Sequence, residues 1–382
     1  MSYKHVAPRR VATGVTLALG AGFALGWIGS PGHSSGFGSE TQTLSSPNRG
    51  EHIEPTRSTS EPAVSAPLQQ GPKTLEVRRI IGDENGPFGR LWDLTLVGDD
   101  VVVLDWEPLE GRGQILVLDR QSGKIFDSGG PRGQGPGDLR QPQSIQSVPG
   151  THRFWINDYR NGRMVLYDLD EPLSRPLDHV RIRSSPYQAY WSDGFLYMNG
   201  LYVTELVRRY VREGPSTRID EEIGAPLLPD ATPEKLQHLN RNKLVLHPSR
   251  DRLAVAFTFL DRIQIYDHAG TLLHDLEGPA PDQTDPSALL PIDGSWEPQV
   301  RDVRATDETI LVLAYRRDEQ LHSHADRIWV YSWDGKLLQV LYLEEPLSRF
   351  ALDYETGRLW GIQEDGTALV EFASPVVASA DR

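Results

Sequence analysis

Gly130-Pro131-Arg132-Gly133-Gln134-Gly135-Pro136-Gly137-Asp138-Leu139-Arg140-Gln141-Pro142 runs into a short segment from Ser144 to Val148 and a Pro149-Gly150 turn. Phe154-Trp155-Ile156-Asn157-Asp158, Asn161-Gly162-Arg163 and Met164-Val165-Leu166-Tyr167-Asp168 follow. A glycine-rich loop thus leads to three short strands separated by turn residues. The same unit recurs. Ile115-Leu116-Val117-Leu118-Asp119 precedes Ser122-Gly123, Ile263-Gln264-Ile265-Tyr266-Asp267 precedes Ala269-Gly270, and Ile328-Trp329-Val330-Tyr331-Ser332 precedes Asp334-Gly335. Each is a strand, a tight turn and a returning strand. Asp119 and Asp168 are 49 residues apart, and Asp168 and Asp267 are 99 apart, so one degenerate unit lies between the latter two. A period near 50 built of four short strands predicts a β-propeller, because each small sheet must bury its faces against neighbours.

The fold class expected is therefore all-β, a six-bladed β-propeller of four-stranded blades. The blades fall at 91–129, 141–183, 187–224, 240–279 and 297–343, and a sixth at 348–374 has only three strands of its own. Leu75 to Ile81 supplies the missing strand and closes the ring. Seven blades is the alternative if 279–300 conceals strands.

Composition agrees with this reading. Among 382 residues, 35 Gly and 28 Pro point to many turns, and 38% hydrophobic residues with nine Trp suffice for a core. With no Cys, disulfides, thiol catalysis and thiolate metal sites are excluded. The net charge is −14, and residues 1–29 carry three cations and no acid, leaving −17 on the rest. Such a body repels nucleic acid and anionic lipid unless the fold hides a basic patch.

Lys4, Arg9 and Arg10 precede an uncharged run of 19 residues, Val11 to Gly29, about the length that crosses a bilayer. Positive residues before the run predict a cytosolic N-terminus and an exported body. A retained anchor, a cleaved signal peptide and a twin-arginine signal compete; the length favours the anchor and the five glycines a signal. The domains expected are a signal anchor or signal peptide at 1–29, a disordered Ser/Pro/Gly-rich linker at 30–73, the propeller at 74–374 and a tail at 375–382. The protein is then inner-membrane anchored with the propeller outside the cytosol, or periplasmic if the N-terminus is cleaved.

Gly133-Gln134-Gly135-Pro136-Gly137-Asp138-Leu139-Arg140-Gln141-Pro142, with Asp158-Tyr159-Arg160-Asn161-Gly162-Arg163 and Tyr167-Asp168, resembles the NHL repeat and the bacterial six-bladed TolB-like propellers. The pattern departs from the family at Leu139, where Phe is usual, and in the first blade, which inserts residues between Leu104-Asp105 and Leu118-Asp119. The resemblance implies the fold over about residues 74–374; relatives include protein-binding scaffolds, RNA binders and a metal-dependent lyase, so it does not choose a function.

Turns from first to second and from third to fourth strands are short, whereas the long connections (127–141, 225–240, 279–297, 106–113 and 316–326) all belong to the other class. They crowd one mouth of the channel. Thr232-Pro233 within one of them predicts a short helix, with Thr as cap and Pro first. Asp105, Asp158, Asn199, Thr258, Tyr315 and Gln363 end the second strands toward that mouth. They line a ligand site, or they are turn formers of the Asx kind. Trp106 and Trp296 fall in mouth loops and suit a sugar or peptide, while Trp155, Trp329 and Trp360 belong to the core. Arg160 and Arg163 read as surface or blade-locking residues. His322-x-His324 with Asp326 is a weak metal motif in a loop, and His247-Pro248-Ser249 is structural. No nucleophile motif or nucleotide loop is visible, so no catalytic residue, metal or cofactor is assigned.

The expectation is a monomeric binding scaffold or sensor for a protein, peptide or glycan, with Asp105, Trp106, Asp158, Asn199, Trp296, Tyr315 and Gln363 as contacts. Nucleic acid is not a partner, and the membrane is met through the N-terminal segment only. The alternative is a metal- or carboxylate-dependent hydrolase or lyase in the channel.

Overall fold

Runs such as Val101-Val102-Val103-Leu104 have no polar alternation, and the computed structural model gives the reason: both faces of each small sheet are buried. It describes residues 73–83, 85–182, 186–192, 194–202, 204–249, 251–279, 298–317, 323–354 and 356–373. Residues 1–72 and 374–382, and with them the expected anchor, most of the linker and the tail, lie outside the described residues, as do Trp296 and His322.

Two strands, β1 (Lys73–Leu75) and β2 (Val77–Ile81), precede the blades. The first blade is β3 (Leu91–Val97), β4 (Asp100–Asp105), β5 (Ile115–Asp119) and β6 (Ile125–Gly129). The second is β7 (Pro142–Ser147), β8 (Arg153–Asp158), β9 (Arg163–Asp168) and β10 (Asp178–Arg181). The third is β11 (Gln188–Ser192), β12 (Phe195–Asn199), β13 (Val207–Glu213) and β14 (Ser216–Ile223). The fourth is β15 (Asn242–Leu246), β16 (Arg252–Phe257), β17 (Arg262–Asp267) and β18 (Leu272–Glu277). The fifth is β19 (Val300–Ala305), β20 (Thr309–Arg317), β21 (Ser323–Ser332) and β22 (Leu337–Leu343). The sixth is β23 (Leu347–Leu352), β24 (Leu359–Gln363) and β25 (Leu369–Phe372).

Six sheets are present among the described residues, each an antiparallel meander in chain order. The protein is thus an all-β, six-bladed propeller. The expected single strand from Leu75 to Ile81 is in fact two. β1 adds parallel to β22 as a fifth strand of the fifth blade, and after Glu76 β2 pairs antiparallel with β25 in the sixth. One short segment therefore straddles two blades.

Among the described residues the core is divided into six apolar clusters, one at each seam. Val102 and Leu104 of β4 pack with Phe154 and Ile156 of β8, while Val101 and Val103 turn to Trp360 and Ile362 of β24. The remaining seams are filled likewise between blades two and three, three and four, four and five, and five and six. Because residues alternate between faces, every blade needs both neighbours, and the ring is the smallest unit that buries all of them. Trp155, Trp329 and Trp360 are core residues, as expected. The short third-to-fourth turns put Gly123, Gly270 and Gly335 at φ 72°, 77° and 79°, where a side chain is strained.

Candidate mouth site

The first strand of each blade is the innermost, and four of the six carry a bulge at their mouth end. The register slips between Leu91 and Asp93, Pro142 and Ser144, Val300 and Asp302, and Leu347 and Arg349. Each slip frees one residue from the ladder: Trp92, Gln143, Arg301 and Ser348.

Opposite these bulges stand the ends of the second strands, where ligand contacts were expected. Asp105 is 1% exposed, and its Oδ2 accepts from Gly89 N (2.8 Å) while Oδ1 accepts from Arg90 N (2.7 Å) and Glu107 N (3.0 Å). Asp158 is fully buried. Its Oδ1 accepts from Arg140 N and Gln141 N at 3.0 and 3.2 Å, and its Oδ2 from Asn161 Nδ2 and Arg163 Nε at 2.6 and 3.3 Å. Both carboxylates are engaged in holding a long loop against its blade, the turn-forming alternative rather than an open ligand contact. Asn199, 1% exposed, accepts from Gln188 N and donates to Gln188 Oε1, Asn242 O and Asn242 Oδ1. Thr258 bonds through its backbone, to Arg241 O and from Gln299 N. Gln363 donates to Glu345 Oε1 at 2.8 Å. Tyr315 is half-buried, and burial pushes its phenol upward.

The glycine-rich loop is stitched from inside. Arg163 donates to Gly135 O and Asp138 O, Asn161 to Gly133 O, and Asp138 Oδ2 accepts from Gly135 N. A Cβ at Gly133 would meet Asp138 Oδ2 at 2.1 Å, and one at Gly137 would meet Ser174 O at 2.5 Å. These glycines are there for close packing, not to cradle a phosphate. Arg163 is the blade-locking residue expected; Arg160 is exposed. The expected helix is present as α1 (Pro233–Leu239), with Thr232 Oγ1 accepting from Lys235 N. His247 accepts from Ser249 N and meets Asp307 O, a turn role, and His324 pairs with Glu364 at 3.0 Å.

Between the first two blades the pinned loops leave a cleft of about 480 Å³ lined by Trp106, Gln114, Arg132, Arg140 and Arg160 among others. Trp106 stacks on Trp92 with centroids 3.5 Å apart and donates to Pro142 O; Trp92 donates to Gln143 O. The guanidinium of Arg349 lies 5.3 Å from the other ring of this series, Trp92. The three cleft arginines are exposed and reach no carboxylate within 4 Å among the described residues. Gln114 is 1% exposed, and neither its Nε2 nor its Oε1 has a partner. Its backbone cannot yield, because its N–H is held by Gly130 O and its carbonyl by Asp105 N. A buried carboxamide left so costs about 1–3 kcal/mol per group.

Sequence reasoning passed over this residue. Gln114 lies just before β5 and carries no motif. It also passed over the charges on the inner strands. Arg304 bridges Asp93 of the first blade (3.0 Å) and Asp302 of its own (3.1 Å). Asp93 accepts from Ile145 N and Asp302 from Phe350 N, so the group ties four blades at the centre. Burial raises the Asp93 carboxyl above the usual range, against the pull of Arg304. Burial also opposes the charge of Arg304, yet Asp302 and Asp93 hold the guanidinium charged. Nearer the mouth, Lys243 is pushed well down by burial and then by Arg349, with Asp302 opposing and Arg301 and Arg241 adding to the push. On a domain that is acidic overall, the cleft is lined by three arginines and one carboxylate, Glu107.

No family model matches the sequence, and no curated protein does. Among solved structures the chain is similar to a member of the DUF4221 family from Bacteroides vulgatus, at a TM-score of 0.50 and 8% identity over 78% of this chain and 97% of that one. It is also similar to the Cps50 (Swd1) propeller domain of Myceliophteria thermophila, with TM-score 0.46 and 12% identity over 78% and 99%. The WD40 repeats of RRP9 align at 0.44 and 10% over 73% and 78%. The first likeness supports the propeller fold and leaves the NHL or TolB-like kinship unestablished.

Proposed function

We propose that the chain is a binding module of the cell envelope, a rigid monomeric propeller that takes a protein, peptide or glycan at its long-loop mouth. The observation that carries this reading is the cleft beside Trp106. Its walls are preformed, because Asp105 holds Glu107 N and Asp158 holds Arg140 N and Gln141 N, and a pre-organised cleft loses little entropy on binding. The same observation disfavours the carboxylate-dependent hydrolase, since every oxygen of the two expected carboxylates already accepts a hydrogen bond. A Trp106 face, the unpartnered Gln114 and three arginines suit recognition instead.

Finer parts of the reading belong with it. The second-blade motif supports kinship with NHL and TolB-like propellers, and Val11–Gly29 supports an N-terminal anchor or signal. Pairing of β2 with β25, clamped where Arg78 and Arg79 both donate to Glu371, supports closure of the ring by the N-terminal segment. Of the expected contacts, Trp106 lines the cleft, Asp105 and Asp158 act through the loops they hold, Asn199 is taken up by Gln188 and Asn242, and Tyr315 and Gln363 would act farther round the mouth.

The test is affinity capture from a cell-envelope extract with the full-length protein, beside an Arg132→Ala/Arg160→Ala variant. Both side chains are exposed, so the melting temperature should be unchanged. A partner held by the parent and lost by the variant is the expected result. Identical captures by both proteins would remove the mouth from consideration.

A further inference from the structure

We infer that the mouth ligand is an acidic peptide segment, its carboxylates taken by Arg132, Arg140 and Arg160 and one of its peptide groups paired with the carboxamide of Gln114. This rests on the reading of the mouth as a binding site and names the chemistry of what fills it.

Gln114 carries the first half. A carboxamide offers a donor and an acceptor side by side, and both are buried and unpartnered here. The complement is a group with the same two functions in one plane, which a peptide bond provides. A phosphate or a carboxylate alone would leave the Oε1 acceptor facing another acceptor. The residue cannot turn elsewhere, because its backbone bonds to Gly130 and Asp105 fix it between two strands.

The arginines carry the second half. Elsewhere in this acid-rich chain, arginines pair with carboxylates: Arg153 with Asp168, Arg209 with Asp220 and Glu221, Arg212 with Asp178, Arg262 with Asp275. Around the cleft, three exposed guanidiniums stand without one, and Glu107 across the cleft faces Arg90 at 3.9 Å. Guanidinium forks match carboxylates geometrically. Arg349, its guanidinium 5.3 Å from the Trp92 ring, carries positive charge past the Trp106–Trp92 stack.

Net charge then separates peptides from polyanions. At −14 overall the protein repels a long polyanion at a distance, while the local positive field acts within about a Debye length of 8 Å. A short peptide with a few carboxylates feels the near field and little of the far one.

The experiment measures binding of a fluorescein-labelled, capped tetraglutamate peptide to the full-length protein by anisotropy, beside tetraglutamine, octathymidylate and trigalacturonate. Tetraglutamate should bind about tenfold tighter than each of the other three. Gln114→Leu should weaken it about tenfold without lowering the melting temperature, since the change removes an unsatisfied buried amide. Arg160→Ala should weaken it about threefold and flatten its salt dependence. The inference falls if octathymidylate or trigalacturonate binds as tightly as tetraglutamate. It falls as well if Gln114→Leu binds like the parent. A partner captured in an Arg160-dependent way, with no tetraglutamate binding, would overturn the peptide chemistry and leave the mouth reading standing. Tetraglutamate binding that ignores both Arg132→Ala and Arg160→Ala would remove the mouth as well.

Discussion

The second and third blades solve one problem with different chemistry. In the second, Asp158 at the end of β8 gathers two loop N–H groups, Asn161 and Arg163, and pulls the glycine-rich loop onto its own blade. In the third, Asn199 occupies the matching end of β12. It takes only one backbone N–H and spends its amide on Gln188 and on Asn242 of the next blade. A carboxylate suits the first place because four donors converge on it. A carboxamide suits the second because three acceptors do. The difference teaches that this position anchors loops, and that its charge follows from what surrounds it rather than from any ligand.

That comparison can be broken. Asp158→Ala should have the largest effect, about 3–5 kcal/mol of lost stability in urea unfolding, because Arg163, 11% exposed, would be left uncompensated beside two orphaned loop N–H groups. A loss below about 1 kcal/mol would mean that the loop does not depend on the carboxylate. Asn199→Asp should cost about 2–3 kcal/mol, since a buried carboxylate would face Gln188 Oε1 and both oxygens of Asn242. Asp158→Asn, the reverse exchange, should cost less, about 1–2 kcal/mol, because the loop N–H groups keep an acceptor. If the two exchanges cost the same, donor count does not explain the choice.

The smallest effect has the opposite sign. The folded state depresses the pKa of Lys243, so the fold resists its charged form. That penalty is greatest on the acid side of the folded value and vanishes as pH climbs to the unfolded value of about 10.4. Lys243→Met should therefore raise the melting temperature, by an amount that grows as pH is lowered and disappears near pH 10.4. A variant less stable at every pH would show that the amine packs in a way its charge does not reveal.

Asp105 and Asp158 were legible as strand-end residues with two readings, ligand contact or turn former, and the sequence left the choice open because the N–H groups they accept from lie up to 18 residues away in loops without a pattern. The Leu75–Ile81 segment reads as one strand because nothing in its composition marks Glu76 as the crossing from blade five to blade six. The bulges at Trp92, Gln143, Arg301 and Ser348 were equally silent, since a bulge is a property of two strands together.

The sequence by itself determined the propeller repeat, the strand spacing, the core tryptophans, the capped helix and the side of the ring that bears the long loops, and it left six blades against seven open. Period, turn residues and face alternation are local, and they repeat. Only the tertiary structure decided that Arg304 meets Asp93 across 211 residues, that Gln114 stands buried without a partner at the cleft, and that Arg132, Arg140 and Arg160 line that one cleft. Those are consequences of ring closure, which brings distant blades to a common centre and so sets burial and charge by position in the ring rather than in the chain.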